Sequence, residues 1–298
     1  MSLVSLSRVI NNDLASIERA ILDSLNNIQY TFPKTIKNIV IKPNLCYYLD
    51  WSTGHTTDPK FVGALINFIR NHFSKDVTIS IIESDASAMK CKYIWSFLGY
   101  DKLAAAQNVR LVNLAEETAT PVTTSVNGKS ISLFLPNIIK DADLRINVPK
   151  IKYMRQTGIS CAMKNLYGCN PVPQKYKFHK QLEESIVALN KIMNFDLHIL
   201  DGMIVSGVTP KKLNLVMASR DPVALDSVAA SIAGLNPKKL KTLVLGQKEG
   251  VGKIDCITKG VNPASVAKEY PKPTISAKIL TRAYITAVKM GLLSKNFL

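Results

Sequence analysis

Six short apolar runs rich in Val, Ile and Leu recur along the chain: "NIVIK" (38–42), "VTISIIE" (77–83), "VRLVNL" (109–114), "DLRINV" (143–148), "LHIL" (197–200) and "LNLVMAS" (213–219). Most of them read as strands buried on both faces. Between several of them the period changes to that of a helix. Phe61, Leu65, Phe68 and Ile69 share a stripe within 59–73, and Leu182, Ile186, Leu189 and Met193 share one within 180–193. Strands alternating with helices predict an α/β fold built on a mostly parallel, doubly wound sheet.

One region breaks the alternation. "VTTSVNGKSISLFL" places Asn127 and Gly128 between two alternating β-rich runs, the signal of a two-residue hairpin turn, and predicts a β-hairpin inserted at about 121–136. From residue 262 the chain is punctuated by Pro. It then reads as a C-terminal helix over 276–293, with Ile279, Leu280, Ala283 and Tyr284 on one face and Lys278, Arg282 and Lys289 on the other. The expected organisation is therefore an α/β domain over 1–261 and a basic C-terminal extension over 262–298 whose amphipathic helix packs on the body.

Charge narrows the partners. Lys and Arg number 38 against 22 Asp and Glu, a net charge of +16, which attracts nucleic acid, anionic lipid or anionic metabolites. The positive residues are spread along the chain and no aromatic-interleaved recognition motif accompanies them, so nucleic acid ranks below a small anion. No apolar run is long enough to span a bilayer, and the first residues lack the layout of a signal peptide, so the expected location is cytoplasmic. The five cysteines, Cys46, Cys91, Cys161, Cys169 and Cys256, are scattered without a C-x-x-C pair. Neither a disulfide framework nor an iron–sulfur cluster is expected.

The chemistry-bearing residues gather at strand ends, where open α/β sheets bind ligands. Lys42 and Asn44 end the first run, with Asp58 and Pro59 as N-cap and first residue of the next helix and His55 in the loop between. Glu83 and Asp85 leave the second run two residues apart, as a metal-binding pair, a proton-sharing pair or a solvated acidic loop. Lys150, Lys152 and Arg155 follow the fourth run. If Thr157 caps a helix from Gly158, then Thr157, Ser160 or Cys161, and Lys164 fall on one stripe, and free N–H groups beside a ring of cations make an anion site. A buried ammonium needs a partner or a cleft, so Lys164 either pairs with a core carboxylate such as Asp226 or meets a ligand. Asp201 with Gly202 closes the fifth run, Asp221 and Pro222 open a helix carrying Asp226, and His179 precedes the 180–193 helix. His198 in an apolar strand and His72 at a helix end read as structural. The phosphate-loop, dinucleotide, nucleophile-elbow and zinc-helix signatures are absent.

The ordered set "IKPNL", "GYDKLAAAQNVRLVNL", "INVPKIK", "TGISCAMKNLYG", "ILDG" and "ASRDPVALDSVAA" resembles the family known as domain of unknown function 362, over roughly residues 38–252. Some members carry ferredoxin-type cysteine motifs, which this chain lacks. Members commonly read lysine, threonine, histidine where this chain has Lys152, Tyr153 and Met154, a departure at the point where the resemblance would place histidine-centred chemistry. "TGISCAMKNLYG" is also faintly similar to the lysine-bearing stretch of the nickel-pincer lactate racemase family, and that similarity implies a cofactor-anchoring role for Lys164.

These readings converge on an enzyme of unassigned class that binds an anionic small molecule, carboxylate or phosphate. Lys164, Glu83 and Asp201 are the catalytic candidates. Lys42, Asn44, Lys150, Lys152, Thr157, Gly158, Ser160, Asn165 and His179 are the ligand-binding candidates, and Glu83, Asp85 and Asp226 are candidates for a divalent metal. The competing readings are a nucleic-acid binder and a non-catalytic scaffold or assembly factor. A homodimer is compatible with all of them.

Overall fold

The computed structural model describes residues 1–73 and 75–273. Each of the six apolar runs is a strand: β2 (Asn38–Pro43), β3 (Thr78–Glu83), β4 (Arg110–Asn113), β7 (Leu144–Val148), β10 (Leu197–Ser206) and β11 (Pro210–Ser219). The sheet also takes in β1 (Ser2–Arg8) and β12 (Cys256–Gly260), whose apolar residues are interrupted by Ser, Thr and Lys. Its main path runs β12-β1-β11-β10-β7-β2-β3-β4, and β11 alone on that path runs against its neighbours. The sheet is thus large, mostly parallel and flanked by helices.

Period-2 alternation divides the apolar residues between the two faces. Ile39, Ile41, Ile79 and Ile81 pack with Ile17 and Ile21 of α1 (Leu14–Asn27) and with Phe61 and Leu65 of α2 (Pro59–His72). Val40 and Ile82 pack instead with Ile131 and Leu133 of the hairpin β5 (Ala119–Val126) and β6 (Lys129–Pro136), and with Ile186 and Leu189 of a helix over Leu182–Met193. In β11, Leu215 and Met217 face the helix Pro222–Ile232, while Val216 and Ala218 face α1 and α2. The hairpin turns at Asn127 and Gly128, both at positive φ, as a two-residue primed turn requires. The helix expected over 276–293 lies outside the described residues.

Two local expectations are corrected. Asp201 and Gly202 do not close their strand, because Met203, Ile204 and Val205 continue the apolar run and β10 extends to Ser206, with a register shift between Gly202 and Ile204 against β11. Gly158 does not open a helix. Residues 152–160 form a small antiparallel pair, β8 (Lys152–Met154) with β9 (Gly158–Ser160), in which Lys152 lies opposite Ser160. Gly158 has φ +80°, outside the helical region, and the helix that follows begins only at Ala162 and ends at Asn165.

Candidate functional site

β2 and β3 are adjacent and parallel, so their carboxyl ends deliver Lys42 and Glu83 to the same place. Their side chains are 1% and 2% exposed and form an ion pair, Lys42 Nζ to Glu83 Oε2 at 2.7 Å, with Lys42 Nζ also donating to the Pro43 carbonyl at 2.6 Å. Glu83 Oε1 accepts from the Ser84 N–H. Gly168 packs directly on this pair: a Cβ there would lie 2.9 Å from both Glu83 Oε1 and Lys42 Nζ. Gly168→Ala is therefore expected to strain the pair and destabilise the fold by about 1–3 kcal/mol, readable by urea denaturation.

A chain of amides runs from the core to this edge. Asn147 Nδ2 donates to the Ala162 carbonyl and to His198 Nδ1, Asn165 Nδ2 donates to Asn147 Oδ1 (2.7 Å), and Asn44 Nδ2 donates to Asn165 Oδ1 (2.7 Å). Asn44 Oδ1 then accepts from Lys152 Nζ at 2.7 Å. Each amide spends its donors and acceptors in one direction, which fixes the orientation of Asn44 and Asn165. Lys152 Nζ is held further by Cys46 Sγ and the His55 carbonyl.

Lys42, Asn44, Glu83, Lys152, Ser160, Lys164, Asn165 and His179 all line one cavity of about 300 Å³ at the carboxyl edge of the sheet. Apolar walls come from Leu45, Met89, Met154 and the Tyr167 ring. Among the described residues Glu83 is the one carboxylate in this lining, against the lysines Lys42, Lys152, Lys164 and Lys175. Lys175, which the sequence reading overlooked, donates to the Ser84 and Gly168 carbonyls, and burial pulls its pKa down. It lies in the basic stretch "QKYKFHK", where nothing in the local pattern separates an inward lysine from a solvated one. Tyr167, Gly168 and Cys46 were overlooked too, since each matters through what it packs against.

Lys164 lines the same cavity. Its Nζ lies 4.3 Å from the Tyr167 ring centroid and makes no ion pair or hydrogen bond among the described residues. Burial, then the Lys152 ammonium, pull its pKa to about 8. The expected partner Asp226 is engaged elsewhere. It accepts from the Ala162 and Met163 N–H groups (2.6 and 3.1 Å), so it caps the short helix from across the fold, and burial raises its pKa to about 7. The helix N-terminus expected at Gly158 is absent, and Asp226 occupies that of the short helix from Ala162.

The remaining candidates stand apart. Lys150 and Asp201, 1% and 0% exposed, pair at 3.1 Å on a separate cavity of about 20 Å³. Asp201 also accepts from the Asp58 and Met203 N–H groups. Asp58 caps α2 as expected, accepting from Lys60 N, and burial with the Asp201 charge raises its pKa to about 6. Thr157 Oγ1 donates to the Ile159 carbonyl within its own turn, and a Cβ on Gly158 would meet Leu240, so neither lines the cationic cavity. Asp85 is held by Lys90 Nζ and the Cys91 N–H. Burial raises its pKa, but those two bonds outweigh it and the net shift is downward. Glu83, Asp85 and Asp226 do not converge, and no group of three or more His, Cys, Asp or Glu able to hold a metal occurs among the described residues.

A mostly parallel α/β sheet with a lysine-lined cleft at its carboxyl edge is the class of protein that fold and site define. The chain belongs to the family described as domain of unknown function (DUF362), whose model matches residues 39–231, well over half of its length. A thylakoid-associated protein of Synechocystis sp. is 27% identical over 252 residues, covering 80% of this chain and 75% of that protein. Among solved structures, the lactate racemase apoprotein from Thermoanaerobacterium thermosaccharolyticum overlaps 79% of this chain and 58% of its own, at TM-score 0.47 and 12% identity. A Thermotoga maritima protein overlaps 74% and 59%, at TM-score 0.42 and 10% identity. The chain spans less than three-fifths of either solved structure. No helix among the described residues is long and apolar enough to cross a membrane.

Proposed function

We propose that the cleft at the carboxyl edge of β2 and β3 binds an anionic small molecule, a carboxylate or a phosphate, and that the protein is an enzyme acting on it. The observation that carries this reading is the imbalance of charge: four lysines face a cavity whose lining holds one carboxylate, and that carboxylate is already paired with Lys42. Like charges held together out of water repel strongly, and a bound anion relieves that repulsion. Lys152 is held by the Asn44 amide oxygen, Cys46 Sγ and the His55 carbonyl, and Lys175 by two carbonyls, so no carboxylate of the lining is hydrogen-bonded to either. Glu83 is held by Lys42, and Lys164 is the cation left to meet the ligand.

Titration calorimetry with inorganic phosphate and with small carboxylates tests this directly. Lys164→Met is expected to weaken anion binding about tenfold to a hundredfold, the worth of one charge-assisted hydrogen bond of about 1.5–3 kcal/mol. Its melting temperature should stay nearly unchanged, because no ion pair is broken and a thioether packs well on the Tyr167 ring. Heat-silent titrations with every anion would end this reading, and a large drop in melting temperature would make Lys164 a structural residue. Affinity also carries a pH signature. Lys164 holds its proton below about 8 and loses it above, so anion affinity should fall as pH rises through about 8 and should lose that inflection in Lys164→Met.

A further inference from the structure

We infer that Lys164 is a covalent nucleophile that forms an imine with the carbonyl carbon of a small anionic aldehyde or ketone, the neighbouring lysines holding the anionic group. This rests on the anion-binding reading and goes further by naming the reactive group of the ligand and the bond formed.

Among the described residues, Lys164 is the one of the four cavity lysines whose nitrogen has no hydrogen-bond or ion-pair partner. Lys42 is bound to Glu83 and the Pro43 carbonyl, Lys152 to Asn44, Cys46 and the His55 carbonyl, and Lys175 to two carbonyls. Lys164 Nζ has the face of the Tyr167 ring on one side, and both residues line the cavity. The ring face attracts the ammonium form but supplies neither a hydrogen-bond acceptor nor a counter-ion, so it positions the nitrogen and leaves its lone pair open once a proton is lost. The surrounding groups favour the neutral amine: burial acts first and the Lys152, Lys175 and Lys42 ammoniums add to it, with Cys46 opposing. With a pKa of about 8, roughly a tenth of the amine is unprotonated at neutral pH, against less than about a thousandth for an ordinary lysine.

The step balances without an outside reagent. The Nζ lone pair attacks the carbonyl carbon, the C=O π pair moves to oxygen, and one amine proton is relayed to that oxygen to give a carbinolamine. The C–O bond then breaks as the nitrogen lone pair forms C=N, the second amine proton joins the departing oxygen, and one water leaves. Carboxylate and phosphate are alike in the charge that the lysines recognise, and the probes below distinguish them.

The full-length protein is incubated with sodium cyanoborohydride and one of three carbonyl compounds, pyruvate, glycolaldehyde phosphate or neutral acetone, then digested and mapped by mass spectrometry. The expected result is a reduced single adduct on Lys164 with pyruvate or with glycolaldehyde phosphate, far above that on the exposed Lys177 and far above that given by acetone. The compound that labels identifies the anionic group. Lys164→Arg, which keeps a cation but not the nucleophile, should lose the adduct while the labelling of Lys177 stays unchanged. No adduct on Lys164, or one no richer than that on Lys177, overturns the imine. If phosphate still binds in that case, the anion site stands without it, and if no anion binds, both fall.

Discussion

Asp201→Ala is expected to cost about 3–5 kcal/mol of stability, the loss typical of leaving a buried charge without its partner, and to lower the melting temperature by on the order of 10 °C. Lys150 Nζ, 1% exposed, would lose the carboxylate 3.1 Å away, and the Asp58 and Met203 N–H groups would lose their acceptor. The cationic cleft should keep its phosphate affinity, because Asp201 and Lys150 face the separate small cavity beside α2. Replacing both charges, Lys150→Met with Asp201→Leu, should recover much of the loss, since a buried pair is often matched by apolar residues of similar volume. Urea denaturation and calorimetry on the same variants check both halves. Unchanged stability with abolished phosphate binding would move Asp201 back among the functional residues.

Glu83→Gln is expected to cost about 3 kcal/mol or somewhat more for the same reason, as Lys42 loses its counter-ion. Here the loss should be reversible by ligand, because Glu83 faces the cleft that Asp201 does not. Without the one carboxylate in the lining, an added anion offsets more repulsion, so phosphate should raise the variant's melting temperature further than it raises that of the parent. Saturation at about 100 times the dissociation constant contributes about 2.7 kcal/mol, enough to restore most of the deficit. Equal or absent rescue in the two proteins would show that the cleft does not take an anion beside Lys42.

Much of the fold was legible before any coordinate. Continuous Val, Ile and Leu runs mark strands covered on both faces, and the 3.6-residue stripes of 59–73 and 180–193 mark the helices that cover them. Local capping chemistry was equally readable. Asp58 before Pro59 and Asp221 before Pro222 accept from the Lys60 and Ala224 N–H groups, as the short-range pattern predicts. The same logic placed Lys42, Asn44 and Glu83 at strand ends, and parallel neighbours carry them into one cavity.

What failed in the sequence reading failed for a common reason. Thr157 and Gly158 read as a helix start because a threonine, a glycine and an apolar pattern are compatible with one, but β8 and β9 pair across that turn and Asp226, some 60 residues on, caps the later helix. Lys150 and Lys152 look like one cationic stripe, yet Lys150 pairs with Asp201 on one cavity and Lys152 hydrogen-bonds Asn44 in another. The antiparallel course of β11 and the strands β1 and β12 were invisible as well, because strand direction and partner are set by distant segments.

The sequence by itself determined the class of fold, the carboxyl-edge position of Lys42, Asn44 and Glu83, and the presence of an unusual lysine at 164, since periodicity, capping and chain order are local. Only the tertiary structure decided which lysines are spent on partners and which one is free. Pairing joins residues such as Lys42 with Glu83 and Lys150 with Asp201, which lie 41 and 51 positions apart in the chain, and burial makes each such pairing worth several kcal/mol.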